Sequence, residues 1–537
     1  MVLETKDFNA EKVTLKDGEL RIRETATGVN VNTVSMSGAN SKIQSWAAKA
    51  TVDSVEVAGS SLIELYGLSE SKEAAKLSIK EMKVSDEAVV TLDNATNSDE
   101  SSVDFGAVTL GKGSVLENVN NGPSSQGIEQ RALTNLAFDS IEGNQATIFN
   151  AEGGQISINE LTGTGNIIQV ADTSAKQISI TKNSSSDLTV TSSDSSYGNK
   201  MTSVDQGVAD LAGTIDMGDE STEGMKVVIG ANDMTGRIEA TYDAQGNKTS
   251  QTEDVNETNR TLTAVANLPV VAWRAELNDL YKRMGDLRAT PYKSGAWVRY
   301  NGGKLKWSDG DLENNFNMIQ VGIDTMPNDS NIRFGTAFSY TTGDADFDGG
   351  SADLDTYSLA MYGTWMGEEG QYIDVIGRLA SMKNDASARS LTGQGQAYEG
   401  KMDNIGLSLS AEAGWRFVMP YNLFIEPQVE ATYSYIDSDS FEYGDRKYEL
   451  QSTDSFIARA GFMAGIQCPG NKGNVYVRAS VVHDFLGETD VTVSNASMTR
   501  TVTNDFGGTW GEFGIGANLS VTDSTYVYAD VEHTAGG

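Results

Sequence analysis

The chain has 537 residues and a formal net charge of −35, from 40 Lys+Arg against 75 Asp+Glu. The length predicts two or more domains, and the acidity excludes nucleic acid as a partner because phosphate binding needs clustered basic residues. One cysteine and two histidines exclude a disulfide framework and leave little room for metal clusters or histidine-based catalysis, so no cofactor is expected.

Two features bear on the cellular location. The first residues, MVLETKDFNAEKV, lack the basic and apolar regions of a signal peptide. No apolar run reaches the roughly 18–20 residues of a membrane-spanning helix. The sequence therefore predicts either a cytosolic protein or a chain that begins after its signal.

The composition changes along the chain. Aromatic residues are sparse in the first half and frequent in the second, which predicts a domain boundary near residue 260. We therefore expect an N-terminal domain at 1–260, a linker and a helix at 261–288, and a C-terminal domain at 289–537. The polar segments 192–206 and 241–260 are predicted to be loop or linker.

The N-terminal domain consists of short alternating strands separated by turns with Gly, Asn, Asp or Ser, for example ISITKNSSSDLTV (178–190). This strand–turn–strand unit recurs at intervals of roughly 20–35 residues, which is typical of a β-solenoid with loops of variable length. We predict a right-handed parallel β-helix that forms an extended, exposed stalk, with an ordinary β-sandwich as the alternative. The domain contains no histidine, which excludes a Ser/His catalytic site within it.

One helix is predicted, because apolar residues recur at intervals of four and three. Its apolar stripe consists of Trp273, Leu277, Leu280, Met284 and Leu287. Lys282 and Arg283 lie on the other faces together with acids, so the polar surface carries both signs. Taken alone, such a helix most often packs against a partner or separates two domains.

The C-terminal domain alternates between apolar and polar residues over eleven segments of strand length. In LSLSAEAGWR (407–416), Leu, Ala and Trp occupy one face, and Ser, Glu and Arg occupy the other. This pattern is typical of a lipid-facing β-barrel, but a soluble sandwich has the same period. Short connections alternate with long ones at 342–354, 381–402, 436–454 and 486–508, which favours a barrel with its short turns toward the periplasm. Because single-chain bacterial barrels have an even number of strands, we expect one strand to be missing.

Several motifs, taken in order, resemble the translocator domain of autotransporters, the type V secretion proteins of Gram-negative bacteria. These are ELNDLYKRMGDLR (276–288), GAWVRYNGG, the segment 334–365, an Ala-Glu-Ala-Gly run and IEPQ (425–428). The resemblance implies an all-β protein with three parts. A β-helical passenger is followed by a pore helix and by a 12-stranded-type antiparallel outer-membrane barrel, here without its last strand.

The resemblance also implies a location and partners. The barrel lies in outer-membrane lipid, and the passenger is displayed at the cell surface or released, where it binds an unknown host or surface ligand. The Sec translocon, periplasmic chaperones and the barrel-assembly machinery act on the full-length precursor. Because no signal precedes the passenger and the family's aromatic-ended last strand does not follow, we interpret the chain as an internal fragment of a longer autotransporter.

One subgroup of the family, the secreted proteases of enteric bacteria, implies self-cleavage as a candidate reaction. Those proteins carry Asn-Asn where this chain has Asn278-Asp279, and the asparagine side chain attacks its own carbonyl with help from acids in the lumen. The matching acids are Asp374, Glu412 and Glu430. We favour the alternative that inward acids solvate the lumen or pair with Lys282 and Arg283, so the protein is predicted not to be an enzyme.

A second candidate site is a calcium loop. Asp344, Asp346 and Asp348, with Asp355 at the twelfth position, meet much of the spacing of an EF-hand loop. However, the flanking segments are strands rather than helices, and the twelfth residue is Asp instead of Glu. A solvated acidic surface loop is therefore the favoured interpretation.

Two functions remain. The favoured one is an outer-membrane autotransporter that translocates its own N-terminal passenger and displays it at the cell surface. The alternative is a soluble secreted two-domain adhesin with no membrane barrel. They differ in the exposed face of the C-terminal sheet, because a membrane barrel exposes its apolar residues and encloses its acids, whereas a soluble sandwich does the reverse.

Overall fold

The computed structural model divides the chain into two compact units, unit 1 at Met1–Asn256 and unit 2 at Glu257–Gly537. The division lies close to residue 260, the boundary expected from composition. The description covers all residues except 5, 27, 48, 67–75, 96–101, 120–134, 172, 174–175, 219–221, 278–293, 308–311, 328–329, 390–396, 470–471, 523–524 and 537.

Unit 1 consists almost entirely of strands. In its described part these are β1 Val2–Leu3, β2 Asp7–Lys16, β3 Glu19–Ile22, β4 Gly28–Ser45, β5 Ala50–Tyr66, β6 Lys76–Val84, β7 Val89–Ala95, β8 Ser102–Leu110, β9 Val115–Val119, β10 Asn135–Asn144, β11 Thr147–Asn150, β12 Gln155–Thr164, β13 Ile167–Val170, β14 Ile178–Ser186, β15 Thr189–Ser192, β16 Ile215–Asp216, β17 Lys226–Ile229, β18 Ile238–Tyr242 and β19 Lys248–Glu253.

The strands of unit 1 stack as parallel coils. From β5 to β17 each strand pairs in parallel with the strand two places further along the chain, so two ladders run side by side. Asp7 lies opposite Gly28, and Ile178 lies opposite Ile215, so a coil takes 21 residues near the start and 37 near the end. The parallel β-helix is therefore confirmed, and the sandwich alternative is wrong.

Apolar residues on the inner side of the coils hold the stack together. One register position is buried in seven successive coils, occupied by Val13, Val34, Val55, Met82, Val108, Ile141 and Leu161. Asn118 donates to Asn150 at 2.8 Å, and Asn150 donates to Gln177 at 3.0 Å, so buried amides also pair from coil to coil. Because one coil cannot bury its apolar face alone, each depends on its neighbours.

The C-terminal end of unit 1 departs from the coil pattern. Helices α1 Tyr197–Lys200 and α2 Val204–Ala212 precede β17, and β17, β18 and β19 pair antiparallel. The prediction of loop or linker at 192–206 and 241–260 is therefore wrong for most of these residues and holds only for the turns between the helices and strands. Every residue of β19 is exposed, so its polar composition reflects exposure to water and not a lack of structure.

Unit 2 contains a long antiparallel sheet, the barrel wall, which curls around a helix. Within the described residues its eleven long strands are β20 Ser294–Trp307, β21 Leu312–Thr325, β22 Ile332–Phe347, β23 Gly350–Met366, β24 Gln371–Ala388, β25 Tyr398–Trp415, β27 Leu423–Ile436, β30 Thr453–Gln467, β31 Gly473–Asp484, β34 Gly508–Thr522 and β35 Thr525–Gly536, each paired with the next. The short β26 Phe417–Val418 adds to β27.

A second, four-stranded antiparallel sheet, which we call the end sheet, lies at one end of the barrel wall. It consists of two hairpins, β28 Asp439–Tyr443 with β29 Arg446–Leu450 and β32 Glu488–Ser494 with β33 Thr499–Asp505. Pairing of β29 with β32 joins the hairpins. These strands occupy the connections 436–454 and 486–508 that were predicted as long loops. The connection 342–354 is likewise mostly strand, with a turn at Asp348 and Gly349.

Two helices begin unit 2, α3 at Glu257–Ala266 and α4 at Leu268–Leu277. These helices occupy the segment upstream of Trp273 that was predicted to be a linker, so that prediction is wrong. Pro269 does not interrupt α4, because it lies in the first turn, where a helix tolerates proline. Outside the described residues lie Asn278, Asp279, Leu280, Lys282, Arg283, Met284 and Leu287. Among the residues described, none of the helices has the length and apolar character needed to cross a membrane.

Candidate functional site

The two faces of the barrel wall have opposite chemistry. On the outer face apolar side chains are exposed, for example Val298 at 74% and Leu409 at 60%. On the inner face charged side chains are buried, including Glu426, Asp374 and Arg378. This arrangement is the reverse of a soluble protein, and it is the one that a wall between hydrocarbon and a polar lumen requires. The soluble sandwich alternative therefore does not fit unit 2.

Helix α4 lies inside the curled sheet. It contacts β22, β23, β24 and β25, and on another side Arg274 reaches Asp484 at the end of β31. Trp273 is buried against Gly406 of β25, where a Cβ atom would lie 2.5 Å from the indole ring. Glycine at this position leaves a notch in the wall that receives the ring. The sheet thus surrounds the helix and is shaped to fit it.

Glu276 in the last turn of α4 is fully buried and bound by three strands. Its carboxylate accepts hydrogen bonds from Arg378 Nη1 and Thr341 Oγ1, and from Ser358 Oγ at 2.9 Å. Arg378 Nη1 also donates to the backbone carbonyl of Glu276 at 3.0 Å. Arg378 of the wall supplies the positive charge that pairs with this acid, because an unpaired buried charge would be costly. The bonds fix the helix in rotation and in depth.

A second ion pair holds the opposite side of the helix. Arg274 binds the carboxylate of Asp484 and donates to the carbonyl of Phe506 at 3.2 Å. Asp484 also accepts from Ser455 Oγ at 2.9 Å. The side chain of Asp484 is fully buried and that of Arg274 nearly so. Two ion pairs on different sides therefore clamp the last two turns of α4.

Three of the predicted site acids lie in one row across the inner wall. Asp374 lies opposite Glu412, and Glu412 lies opposite Glu430, on neighbouring strands. Arg459, which is opposite Glu430, binds Glu430 and approaches Glu412 at 3.1 Å. The row is displaced from Arg378 by four residues along β24, a distance of roughly 13 Å for a strand. The structure therefore brings these acids together, and Arg459 pairs with two of them, Glu412 and Glu430.

Hydroxyl groups complete the row. Thr364 Oγ1 donates to Asp374 at 2.9 Å, and the hydroxyl of Tyr372 donates to Glu412. Sequence reasoning did not identify Arg459 as the partner of these acids, nor Arg378 as the partner of Glu276. The position of each arginine on the polar face of its strand indicates that it points into the lumen. Which acid it binds depends on the register between strands, which the sequence does not give.

Comparison with known proteins agrees with this geometry. Residues 296–532 match the family model for the Autotransporter beta-domain. The chain carries an autotransporter β-domain. Such a domain lies in the bacterial outer membrane, which agrees with the exposed apolar face of the wall.

Relatives with this β-domain differ in what else they carry. The autotransporter adhesin/invasin TibA of Escherichia coli O78:H11 is 27% identical over 52% of this chain and 29% of its own length. The serine protease EspP of Escherichia coli is 28% identical over 52% of this chain and 22% of its own length. The transport unit of the autotransporter AIDA-I from Escherichia coli is a similar solved structure, with 19% identity, coverage of 53% and 95%, and a TM-score of 0.41. The chain spans less than a third of the length of these two full-length relatives.

The four acids of the predicted calcium loop lie at the end-sheet end of the β-domain. Asp344 and Asp346 are exposed on β22. Asp348 in the turn binds Arg260 of α3 at 2.9 Å, and Asp355 accepts from Tyr340 at 2.6 Å. Within the described parts of the chain, no group of three His, Cys, Asp or Glu could hold a metal ion.

The notch at Gly406 gives a first prediction. In Gly406→Leu the new side chain would occupy the position of the Trp273 ring, and overpacking of this kind costs about 1–3 kcal/mol. We expect the helix to be displaced and the ion conductance of the β-domain in planar bilayers to rise. Gly377→Leu on β24 is the matched control, because a Cβ there meets no atom within 4 Å. Equal conductance in the two variants would contradict the notch.

Proposed function

We propose that the β-domain carries unit 1 across the outer membrane and holds it at the cell surface, with α3 and α4 filling the pore after export. The observation that carries this proposal is the fully buried Glu276–Arg378 pair. It anchors the chain that follows unit 1 inside a barrel whose outer face is apolar. A polypeptide bound within the lumen of its own barrel is what remains when a passenger has passed through that barrel.

The direction of the chain supports this function. Helix α3 bonds to the end sheet and to the turn at Asp348, whereas α4 lies deeper, at the level of Arg378. The described chain therefore enters the lumen from the end-sheet end. The opposite end of the wall carries short turns such as Gly367–Gly370 between β23 and β24. Short turns face the periplasm in outer-membrane barrels, so the end sheet faces outward.

Export of unit 1 can be tested on intact cells. We expect an antibody against unit 1 to label cells that express the full-length protein, and external protease to remove the label without lysis. Cells expressing unit 1 with a signal peptide but without the β-domain are the control, and these should retain unit 1 in the periplasm. Label that is reached only after lysis in both strains would contradict the proposal. As in the family, we expect the Sec translocon, chaperones and the barrel-assembly machinery to deliver the precursor.

The role of unit 1 at the cell surface is a separate question from its export. The matched relatives include an adhesin/invasin and a serine protease with similar β-domains. Unit 1 has the composition of a stalk, without histidine and with Ser, Thr, Asn and Asp on its exposed positions. We propose that it presents an adhesive surface and is not itself an enzyme.

We further propose that the acids in the lumen are structural rather than catalytic. Arg459 binds Glu430 and Glu412, and hydroxyl groups bind Asp374 and Glu412. These contacts hold the carboxylate oxygens against the wall, whereas a catalytic acid must come within hydrogen-bonding reach of the bond that is cleaved.

This role predicts that the Asn278–Asp279 bond stays intact. Mass spectrometry of the exported full-length protein should find no break after Asn278. The same result is expected for Asp374→Asn. A break in the wild type that is lost in the Asp374 variant would show that the bond is cleaved with help from this acid.

A further inference from the structure

The end sheet has an apolar core of its own. Phe441 stacks on Tyr448 with 5.2 Å between ring centroids, and it contacts Tyr398 of β25 at 4.7 Å. Val491 and Val493 on β32 are buried beside this cluster in the paired strand. Helix α3 packs against β29. The core of the end sheet is therefore built partly from the barrel wall and partly from α3.

Two asparagines bond this helical segment to both hairpins of the end sheet. The buried Asn259 Oδ1 accepts from Arg446 Nη1 at 2.8 Å and from the hydroxyl of Tyr448, both on β29. Asn267, between α3 and α4, accepts from Thr489 Oγ1 on β32 at 2.8 Å. The first hairpin and the second hairpin thus each depend on a side chain of the same short segment.

The end sheet reaches across the mouth of the barrel. At one side its Phe441 contacts Tyr398 on β25, and at the other Phe506, which follows β33, contacts Trp307 at the end of β20 with 5.9 Å between centroids. In the order of the eleven long strands, β20 and β25 are five places apart, so they lie on opposite sides of the curl. The end sheet therefore covers the mouth of the barrel wall, and we call it the lid.

We propose that α3 is the latch of this lid, which closes over the barrel mouth only when α3 is folded beneath it. Without α3, Arg446 and the Tyr448 hydroxyl lose the acceptor that Asn259 provides, and the apolar side of β29 faces water in the mouth. With α3 in place, both groups are paired and the apolar residues are covered. The lid would then seal the pore independently of the deeper clamp at Glu276. The latch is a property of the folded unit 2 and holds whether or not unit 1 is exported.

Limited trypsin digestion of the full chain, folded in detergent, tests the latch. Trypsin cuts after Arg446 and Lys447 at the start of β29. Arg446 pairs with β28 and Lys447 pairs with both β28 and β32, and backbone paired in this way is protected from cleavage. In Asn259→Ala we expect cleavage at these two bonds, identified by mass spectrometry, to become about tenfold faster. Arg260→Ala is the matched control on the same helix, because Arg260 binds Asp348 and Glu257 rather than the end sheet. Its cleavage rate should equal that of the wild type.

A second variant protects the test against a folding failure. Tyr448→Phe keeps the ring in the core and removes only the hydroxyl that Asn259 accepts from, so a smaller acceleration, of a few fold, is expected. Heat-dependent gel migration of each variant reports whether the barrel wall is folded. If Asn259→Ala is folded and cleaved at the wild-type rate, the latch is refuted. If it does not fold, Tyr448→Phe decides in the same way, and cleavage at the wild-type rate again refutes the latch.

Discussion

Replacing Glu276 with alanine is expected to open the pore. The substitution leaves Arg378 buried without its carboxylate partner, and removing one member of a buried ion pair costs about 3–5 kcal/mol. The ratio of docked to undocked helix should therefore fall by a factor of roughly 100 to 1,000 or more. In planar bilayers the wild-type chain should be nearly silent, and Glu276→Ala should show long-lived open events. The effect should exceed that of Gly406→Leu, because an unpaired buried charge costs more than overpacking.

The double variant Glu276→Leu with Arg378→Met is the matched control. Apolar replacement of both partners of a buried pair is often neutral or stabilising, by about 1–4 kcal/mol. Arg378 supports this expectation, since its Nε and Nη2 atoms have no hydrogen-bond partner among the described residues. The double variant should therefore return to the closed, silent state. An open double variant would show that the wall needs the charges themselves, and a silent Glu276→Ala would show that the pair does not hold the helix.

The strands of the barrel wall could be predicted from the sequence, but the direction of their faces could not. In 407–416 the alternation placed Leu409 and Glu412 on opposite faces correctly. The same period of two occurs in a soluble sandwich and in a membrane barrel, because it reflects only the pleat of a strand. The structure decides between them by leaving Leu409 exposed and burying Glu412. The alternation in the sequence therefore shows which residues share a face of the strand. The exposure of those residues in the structure shows which face is directed toward lipid.

The helix and the end sheet were harder to predict for a different reason. Residues 257–266 are rich in Asn, Thr and Arg and have few apolar residues, yet they form α3 because the lumen and the end sheet supply partners such as Arg446 for Asn259. The strands of the end sheet are short, and the face that they expose to water is polar. The segments that contain them therefore resembled polar loops. Both elements depend on contacts distant in sequence, which local periodicity does not encode.

Placing an arginine on the lipid-facing side should prevent stable folding of the β-domain. Leu409 lies at the centre of the outward apolar positions of β25, between Ile405 and Trp415, and it is 60% exposed. An arginine on the lipid face near the bilayer midplane costs about 2–4 kcal/mol. Leu409→Arg should therefore lower the ratio of folded to unfolded protein by roughly 30- to 1,000-fold in lipid vesicles. Urea titration of the refolded chain, followed by heat-dependent gel migration, measures this ratio.

The depth of the substitution separates a membrane effect from a general loss of packing. Val418 in β26 is 73% exposed and lies beside the short turn at Pro420–Asn422, near the end of the wall. Near the membrane interface an arginine costs only about 0–1 kcal/mol, so Val418→Arg should unfold close to the wild-type urea concentration. In a soluble protein both positions would face water, and neither arginine would matter. Equal midpoints for the two variants would therefore overturn the assignment of the outer face to hydrocarbon, and with it the export function.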